Sequence, residues 1–238
     1  MTVTAAAPAV ALLNVRFAYR PGRDVVSIDS LTINRGETVF LHGPSGSGKT
    51  TLLGLLAGVL TATSGSVRIL GEDLTPLSSG ARDAFRAQHL GYVFQQFNLI
   101  PYLSVRENIL LPVRLDRERR AKLGTTDPVK AADALAAELD IASAIHSPVT
   151  ELSVGQQQRV AVARALIGSP EVVICDEPTS ALDSDRRQRF LELLFASCHK
   201  AGATLVFVSH DFTLQPLFSR TVELPQINSA SAIIAKEN

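Results

Sequence analysis

The feature that most constrains this chain is the run at residues 43–50, which reads GPSGSGKT. It fits the pattern G-x-x-x-x-G-K-[S/T], and it lies between an apolar, strand-like run at 37–42 and a Leu-rich, helix-like run at 51–59. In that context the backbone can curl so that several N–H groups face one anion, while the helix N-terminus adds its partial positive charge. An ordinary Gly/Ser-rich turn is the alternative, but the full pattern in this setting favours a phosphate-binding loop.

The side chains of this loop have predictable roles. Lys49 is expected to hold the β- and γ-phosphates of a nucleotide, and the Thr50 hydroxyl is expected to ligate Mg²⁺. The predicted nucleotide-binding residues of the loop are Gly43, Pro44, Ser45, Gly46, Ser47, Gly48, Lys49, Thr50 and Thr51.

Two adjacent acids, Asp176 and Glu177, follow the buried strand-like run at 171–175. Ligands of open α/β sheets bind at the carboxyl ends of the strands, and burying two carboxylates is costly unless they serve a cation or a reacting water. Asp176 is therefore the candidate Mg²⁺ partner, and Glu177 is the candidate base that orients or polarises the attacking water. A solvent-exposed strand end is the alternative.

The order of the elements predicts an α/β fold. Strand-like runs at 13–19 and 25–33 flank a Pro-Gly turn and indicate an antiparallel opening. Later short runs rich in Val and Ile, at 66–70, 90–94, 171–175 and 204–208, are typical of a parallel sheet covered on both faces. Helical signals dominate from 97 to 169, where Asp127 is a plausible N-cap with Pro128 at the first helical position. We predict a single domain, with a core at about 1–96 and 170–238 and a helical sub-domain at about 97–169.

Length and composition narrow the possible classes. The 238 residues suit one large domain, and 23 basic against 23 acidic side chains argue against the overall basic surface of a nucleic-acid binder. Cys175 and Cys198 match no disulfide framework or metal spacing, so we expect two reduced thiols. The longest apolar runs, at 5–13 and 52–60, fall short of the roughly 20 residues that span a bilayer. A membrane role would therefore come through a partner.

A third motif, LSVGQQQR at residues 152–159, precedes an amphipathic stretch. Here the sequence resembles the nucleotide-binding subunits of ABC transporters, whose signature is similar to Leu-Ser-Gly-Gly-Gln. The resemblance implies a P-loop NTPase core with a mixed sheet, an N-terminal antiparallel β sub-domain and an inserted α-helical sub-domain. It also implies that Ser153, Gly155 and Gln156 bind the γ-phosphate of ATP held by a second copy, in a head-to-tail dimer that encloses two Mg·ATP. Val154 departs from the family, which usually has glycine there.

Four more residues fit the family pattern in its order along the chain. By resemblance, Tyr19 stacks on adenine, Gln95 contacts Mg²⁺ and the attacking water, Asp183 lies in the segment that crosses the dimer interface, and His210 is the switch histidine beside the γ-phosphate. Each has a simpler alternative, namely an edge-strand aromatic, a polar loop residue, a helix cap and a hydrogen-bonded histidine at a strand end. Their occurrence in order favours the functional interpretation.

The segment after Gln95, QFNLIPYLSVRENILLP, looks most like the ATPase subunits of lipoprotein-release and macrolide-efflux systems. The resemblance implies a separate integral membrane permease and a location on the cytoplasmic face of the membrane. Apolar side chains at 97–102 could form a groove for a permease helix or could fill the local core. Five basic side chains at 114–122 could face anionic lipid, although a solvated surface is the favoured interpretation.

Two rival functions stay open at this stage. One is a regulatory ABC ATPase that signals through a membrane partner with little hydrolysis. The other is a non-transport ABC ATPase of chromosome maintenance, repair or translation. The sequence shows none of the long coiled coils, zinc modules or second cassettes that such relatives usually carry, and we expect no nucleic-acid partner.

Overall fold

The computed structural model describes residues 6–179 and 184–231 of the chain. Its strands, numbered in chain order, are β1 (Val10–Phe17), β2 (Val26–Ile33), β3 (Thr38–His42), β4 (Ser64–Ile69), β5 (Glu72–Asp73), β6 (Leu90–Val93), β7 (Val172–Asp176), β8 (Thr204–Val208) and β9 (Arg220–Glu223). Its α-helices are α1 (Lys49–Leu56), α2 (Ser79–His89), α3 (Val105–Leu115), α4 (Arg117–Ala121), α5 (Pro128–Glu138), α6 (Val154–Leu166), α7 (Ser184–Ala201) and α8 (Leu224–Ile227). Residues up to 86 and from 206 onward form one compact unit, and residues 87–205 form another.

The first unit opens with an antiparallel sheet in the order β2-β1-β4-β5. The predicted antiparallel pairing of the first two strands is confirmed, but the assignment of the run at 66–70 to the parallel sheet is wrong, because β4 pairs antiparallel with β1. Strand β1 begins at Val10 rather than at residue 13. Its buried positions are even-numbered in the first half of the strand and odd-numbered in the second half. Val10 and Leu12 are buried before Asn14, which has φ +49°, and Val15 and Phe17 are buried after it. The register with β4 shifts at this point, so a bulge interrupts the period-2 pattern and hides the first half of the strand from sequence analysis.

The first unit also contains the strand that leads into the glycine-rich loop. Strand β3 pairs in parallel with β9, and its central residues Val39, Phe40 and Leu41 are buried. Helix α1 ends at Leu56, three residues before the predicted end, because Gly58 adopts a left-handed φ of +66° and breaks the helical backbone. The sequence prediction of a strand, a loop and a buried helix in this order is confirmed.

The second unit combines a parallel strand pair with helices. Strand β6 pairs with β7 in parallel, and Val93 lies opposite Cys175. Ser104 and Glu107 form a capping box at α3, and the Asp127 side chain accepts from the first amides of α5, whose first residue is Pro128. The N-cap prediction at Asp127 is confirmed. By contrast, sequence analysis does not predict α2, none of whose side chains is buried.

The basic run at 114–122 is not uniformly solvated, so that interpretation is wrong for Arg119. Its side chain is buried, and its guanidinium donates to the carbonyls of Ile167 at 2.8 Å and Leu90 at 2.6 Å, among others. Burial lowers the pKa of Arg119 to about 10, while the nearby carboxylates of Asp116 and Glu171 oppose that shift. Arg119 thus ties α4 to the end of α6 and the start of β6. No helix in the described ranges has both the length and the apolar character needed to cross a membrane.

Candidate nucleotide site

The glycine-rich loop has a backbone that only glycine adopts readily. Gly46 has φ +78°, and Gly48, the residue before α1, has φ +96°. A Cβ at Gly48 would lie 3.0 Å from the carbonyl oxygen of Val25, so a side chain there would be both strained and crowded. The loop therefore leads into the N-terminus of a buried helix through glycines, which add no side chains there.

The polar side chains of the loop fit an anionic ligand. Lys49 Nζ donates to the carbonyls of Gly43 at 2.7 Å and Pro44 at 3.0 Å. The ammonium group of the loop's lysine is therefore bonded to carbonyls of the same loop. Within the described residues, the buried hydroxyl of Ser47 has no hydrogen-bond partner. A phosphate group would give Lys49 an anionic partner and would satisfy the Ser47 hydroxyl, whereas an apolar ligand would leave both needs unmet.

Asn228, a residue near the C-terminus that sequence analysis missed, supports the backbone of the glycine-rich loop. Asn228 is fully buried, and its Nδ2 donates to the carbonyls of Ser47 at 2.9 Å and Val25 at 3.0 Å. Its Oδ1 accepts from the N–H of Ser27 at 2.7 Å. Both polar atoms of this amide therefore bond to backbone groups, through three hydrogen bonds in all, and no motif in the sequence points to the contact.

Tyr19 lies beside the same helix. Its hydroxyl is 3.2 Å from the hydroxyl oxygen of Thr51, and its ring packs edge-on against Phe17, with centroids 4.9 Å apart. Because 63% of Tyr19 is exposed, its aromatic side chain is accessible to a ligand. His210, also exposed, follows the buried Ser209 just beyond the end of β8 in this unit.

The acid pair lies in the second unit at the carboxyl end of β7. Asp176 is the last residue of that strand, and Glu177 follows it with a left-handed φ of +46°, a strained conformation for a long side chain. Gln95 lies just beyond the end of β6, the parallel neighbour of β7, so the two strands bring Gln95 and the two acids to the same edge. Burial and the negative charge of Asp176 raise the pKa of Tyr92 above its usual range.

The loop after Gln95 is also strained, and a second missed residue holds it. Phe97 and Asn98 have φ values of +58° and +49°. Arg164 of α6 donates to both of their carbonyls, at 2.6 Å and 2.7 Å. Burial lowers the pKa of Arg164, yet these two charge-assisted bonds keep the guanidinium in place. Arg164 thus joins α6 to the loop that follows Gln95.

The rest of this loop is fixed by Asn108 of α3, which is fully buried. Its side chain bonds to the N–H and the carbonyl of Ile100, at 2.8 Å and 3.1 Å, and to two further carbonyls. The apolar side chains of the segment consequently divide between the two predicted roles. Phe97 joins the core, whereas Tyr102 is 84% exposed.

The signature segment starts a helix, as the sequence indicates. Ser153 is the N-cap of α6, and Gln156 accepts from the Ser153 N–H at 2.9 Å, which completes a capping box. Gln156 therefore uses its amide oxygen to build the helix end. Val154, which stands where the family usually has glycine, is 47% exposed, so this departure from the family changes the local surface.

A cavity of about 250 Å³ adjoins this helix end. Ser153 and Gly155 line one part of it, and three arginines line another part, of which Arg159 is also paired with Asp140 at 3.0 Å; the others are Arg186 and Arg189. A helix N-terminus next to three guanidinium groups suits an anionic partner.

The predicted site residues therefore fall into separate groups. In the first unit the structure brings together the loop at 43–51 and Tyr19, with His210 beyond β8. In the second unit it brings together Gln95, Asp176 and Glu177, with Ser153, Gly155 and Gln156 at the start of α6. Asp183 lies outside the described residues. No cluster of three or more His, Cys, Asp or Glu side chains that could hold a metal occurs in the described ranges.

Comparisons with known proteins agree with this architecture. A family model described as ABC transporter matches residues 26–180. The chain is 41% identical over 194 residues to the uncharacterized ABC transporter ATP-binding protein YbbA of Escherichia coli K12, covering 82% of this chain and 83% of that one. It is 37% identical over 227 residues to the lipoprotein-releasing system ATP-binding protein LolD of Anaeromyxobacter dehalogenans, covering 94% and 93%.

A solved structure shows the same fold. The dimeric, post-hydrolysis structure of the ATP-binding cassette MJ0796, bound to ADP and Pi, is similar to this chain with a TM-score of 0.80 and 33% identity, covering 93% of this chain and 95% of that one. The architecture is a P-loop core with an antiparallel sheet, parallel strands and added helices, and this chain belongs to the ABC transporter family as one of its ATP-binding domains.

Proposed function

We propose that the protein hydrolyses ATP as a subunit of an ABC transporter, dimerises around two Mg·ATP and drives a separate membrane permease. The observation that carries this proposal is the glycine-rich loop, in which Lys49 is held only by loop carbonyls and the Ser47 hydroxyl has no hydrogen-bond partner among the described residues. Both groups fit the phosphates of a nucleotide. The similarity to a cassette bound to ADP and Pi supports hydrolysis as the outcome.

In this proposal the first unit binds the nucleotide. Lys49 leaves the carbonyls of Gly43 and Pro44 and bonds to the phosphates, and the loop amides from Ser45 to Thr51 bear the remaining charge. Tyr19 offers an exposed aromatic side chain for adenine.

The second unit supplies the groups for hydrolysis. Glu177 orients and polarises the attacking water, and Gln95 contacts that water from the same sheet edge. His210 of the first unit is proposed to contact the γ-phosphate. The left-handed backbone of Glu177 fits a residue whose side-chain direction matters more than local stability.

The residues present also fit a magnesium ion. Thr50, exposed in the first turn of α1, and Asp176, at the end of β7, are the proposed ligands, together with Gln95. Mg²⁺ keeps several waters and phosphate oxygens as ligands, so few protein groups are required. When bound, it neutralises phosphate charge during transfer.

A second copy is proposed to complete each site. The N-terminus of α6, with Ser153 as its cap and an arginine-lined cavity beside it, suits the terminal phosphate of ATP held by another subunit. Asp183 is proposed to contribute at the dimer interface. The similar MJ0796 structure is dimeric, which supports this assembly.

The proposed permease contact is the segment from Phe97 to Ser104. Arg164 and Asn108 hold its backbone, and Tyr102 stands out into solvent. A fixed loop with an exposed aromatic suits a helix from a membrane partner. The similarity to LolD supports a lipoprotein-release or mechanotransmission type of exporter, with the ATPase on the cytoplasmic face of the membrane.

The decisive experiment replaces the proposed base. Glu177→Gln should bind ATP and Mg²⁺ normally, lower turnover about 10² to 10⁴ fold, and shift the protein to a dimer on a sizing column in the presence of ATP. The matched control is Glu72→Gln, an exposed acid on β5, which should behave as the native protein. Unchanged hydrolysis in Glu177→Gln would remove Glu177 from the mechanism.

The transport role needs its own test. The protein should co-purify with an integral membrane protein when isolated in mild detergent. Recovery of DNA or ribosomes instead would contradict the transport function, and a membrane partner with negligible ATP turnover would favour a regulatory one.

A further inference from the structure

The last residue of β3 is a histidine that no step above uses. His42 directly precedes Gly43, the first residue of the phosphate-binding loop. Its Nδ1 lies 3.2 Å from the carbonyl oxygen of Ser209. Because a carbonyl can only accept a hydrogen bond, Nδ1 must carry the proton and donate it. His42 therefore holds the residue immediately before His210.

The ring of His42 also contacts Phe212, two residues after His210. Phe212 packs edge-on against it, with ring centroids 4.1 Å apart and an interplanar angle of 73°. The imidazole also lies nearly parallel to Phe40, with centroids 6.0 Å apart and an interplanar angle of 15°, and Phe40 in turn contacts Phe212 at 6.3 Å. Phe40 is fully buried, so the imidazole has a rigid support.

The backbone around His210 is stiffened by local hydrogen bonds. The N–H of Asp211 donates to the Ser209 hydroxyl at 3.0 Å, and the N–H of Thr213 donates to the Asp211 carboxylate at 3.0 Å. These bonds fix the segment as a unit, and the contacts of His42 fix that unit against the strand leading into the phosphate loop.

We propose that His42 is a positioning residue that couples the phosphate loop to His210. This inference rests on the proposed function, in which His210 contacts the γ-phosphate. In this structure Lys49 bonds to the carbonyl of Gly43, the residue next to His42. When Lys49 transfers to phosphate, that constraint on Gly43 is lost. A change in the backbone there would pass through His42 to Ser209 and Phe212, and so to His210 between them.

Two substitutions separate the contacts of His42. His42→Phe keeps a ring against Phe212 but loses the donor to Ser209. His42→Asn keeps a donor at the same distance from the backbone, because Asn Nδ2 and His Nδ1 are both bonded to Cγ. We expect His42→Phe to lower kcat about three- to tenfold, the usual worth of one hydrogen bond, with KM for ATP and the affinity for ADP within twofold. His42→Asn should restore kcat to within twofold of the native value.

A double-mutant cycle tests whether His42 acts through His210. His42→Phe should cause no further loss in a protein that already carries His210→Ala. His89→Phe is the matched control, because the Nδ1 of that half-buried histidine also makes a hydrogen bond, to Glu171 in the second unit. It should leave kcat within twofold. Thermal unfolding of every variant establishes that the compared proteins are folded.

The outcomes distinguish the inference from the function on which it rests. Full activity in His42→Phe, an Asn variant as slow as the Phe variant, or an additive loss with His210→Ala would each overturn the coupling role of His42. Activity that is insensitive to His210→Ala would instead overturn the role proposed for His210, and the inference with it.

Discussion

Asn228 should matter to nucleotide binding although it lies far along the chain from every recognised motif. Asn228→Ala removes the hydrogen bonds from Nδ2 to the carbonyls of Val25 and Ser47 and the bond from the Ser27 N–H to Oδ1. The Ser47 carbonyl retains a second donor, the Ser231 hydroxyl at 3.1 Å. Two backbone groups, the Ser27 N–H and the Val25 carbonyl, therefore lose their side-chain partner, and the part of the chain that the structure describes offers them no other side chain.

The size of the effect follows from these contacts. A polar group left unsatisfied in the interior costs about 1–3 kcal/mol, so two such groups should lower the free energy of unfolding by about 2–5 kcal/mol. Loosening the phosphate loop at Ser47 by one hydrogen bond should weaken nucleotide affinity about two- to tenfold. Urea unfolding monitored by circular dichroism gives the first quantity, and titration with ADP gives the second.

A second substitution, Asn228→Asp, predicts the direction in which stability changes with pH. Asn228→Asp keeps the acceptor but places a carboxylate oxygen against the carbonyls of Val25 and Ser47, so the folded state favours the protonated acid and raises its pKa. The folded state then binds more protons than the unfolded state, and the stability of this variant should rise as the pH falls. The Asn228→Ala variant should lack that added pH dependence.

The control is Asn34→Ala, which removes an exposed asparagine and should change stability by less than about 0.5 kcal/mol. If Asn228→Ala unfolded with the native free energy, the claim that its lost hydrogen bonds leave two buried backbone groups unsatisfied would be wrong. A large loss of stability with native ADP affinity would refute the claim that Asn228 supports the phosphate loop.

Three further substitutions test other parts of the structure. Arg119→Met should lower the free energy of unfolding by about 3 kcal/mol or more in urea titrations, because buried carbonyls lose a charged donor, whereas Arg120→Met on the exposed face of α4 should change it little. Val154→Gly should leave ATP turnover within a few-fold of native in a phosphate-release assay, and a large gain would show that the native signature is impaired. Burial alone would raise the pKa of Glu171, but hydrogen bonds such as that from Lys122 lower it. Glu171→Gln should therefore destabilise the protein at neutral pH, and the difference should shrink as the pH falls below the ordinary carboxyl value of 4.5.

The parts of the fold that sequence analysis predicted are those with a strong local signal. The strand, loop and helix around Lys49 follow from an apolar run, a glycine pattern and a Leu-rich run. The N-cap at Asp127 follows from a short acid before proline at the start of a periodic segment. Both signals lie within about ten residues of the feature that they predict.

The failures also have identifiable physical causes. The start of β1 was missed because the bulge at Asn14 reverses the alternation of buried side chains. Helix α2 was missed because it buries no side chain. The burial of Arg119 was missed because its partners are backbone carbonyls on other elements, which leave no trace in the sequence near Arg119.

The same reason explains why sequence analysis found the proposed chemical groups but not the residues that hold their loops. Asn228, Arg164 and His42 all donate N–H groups to main-chain carbonyls. Every residue type has a carbonyl, so the accepting position carries no residue preference that a motif could record, and the donor lies far away in the chain. The side chain of the accepting residue Asn98 should therefore tolerate substitution better than its donor Arg164 does, provided that the backbone conformation is kept. Asn98→Gly should be milder than Arg164→Ala, since glycine adopts the left-handed backbone of Asn98 without strain and keeps the carbonyl to which Arg164 donates.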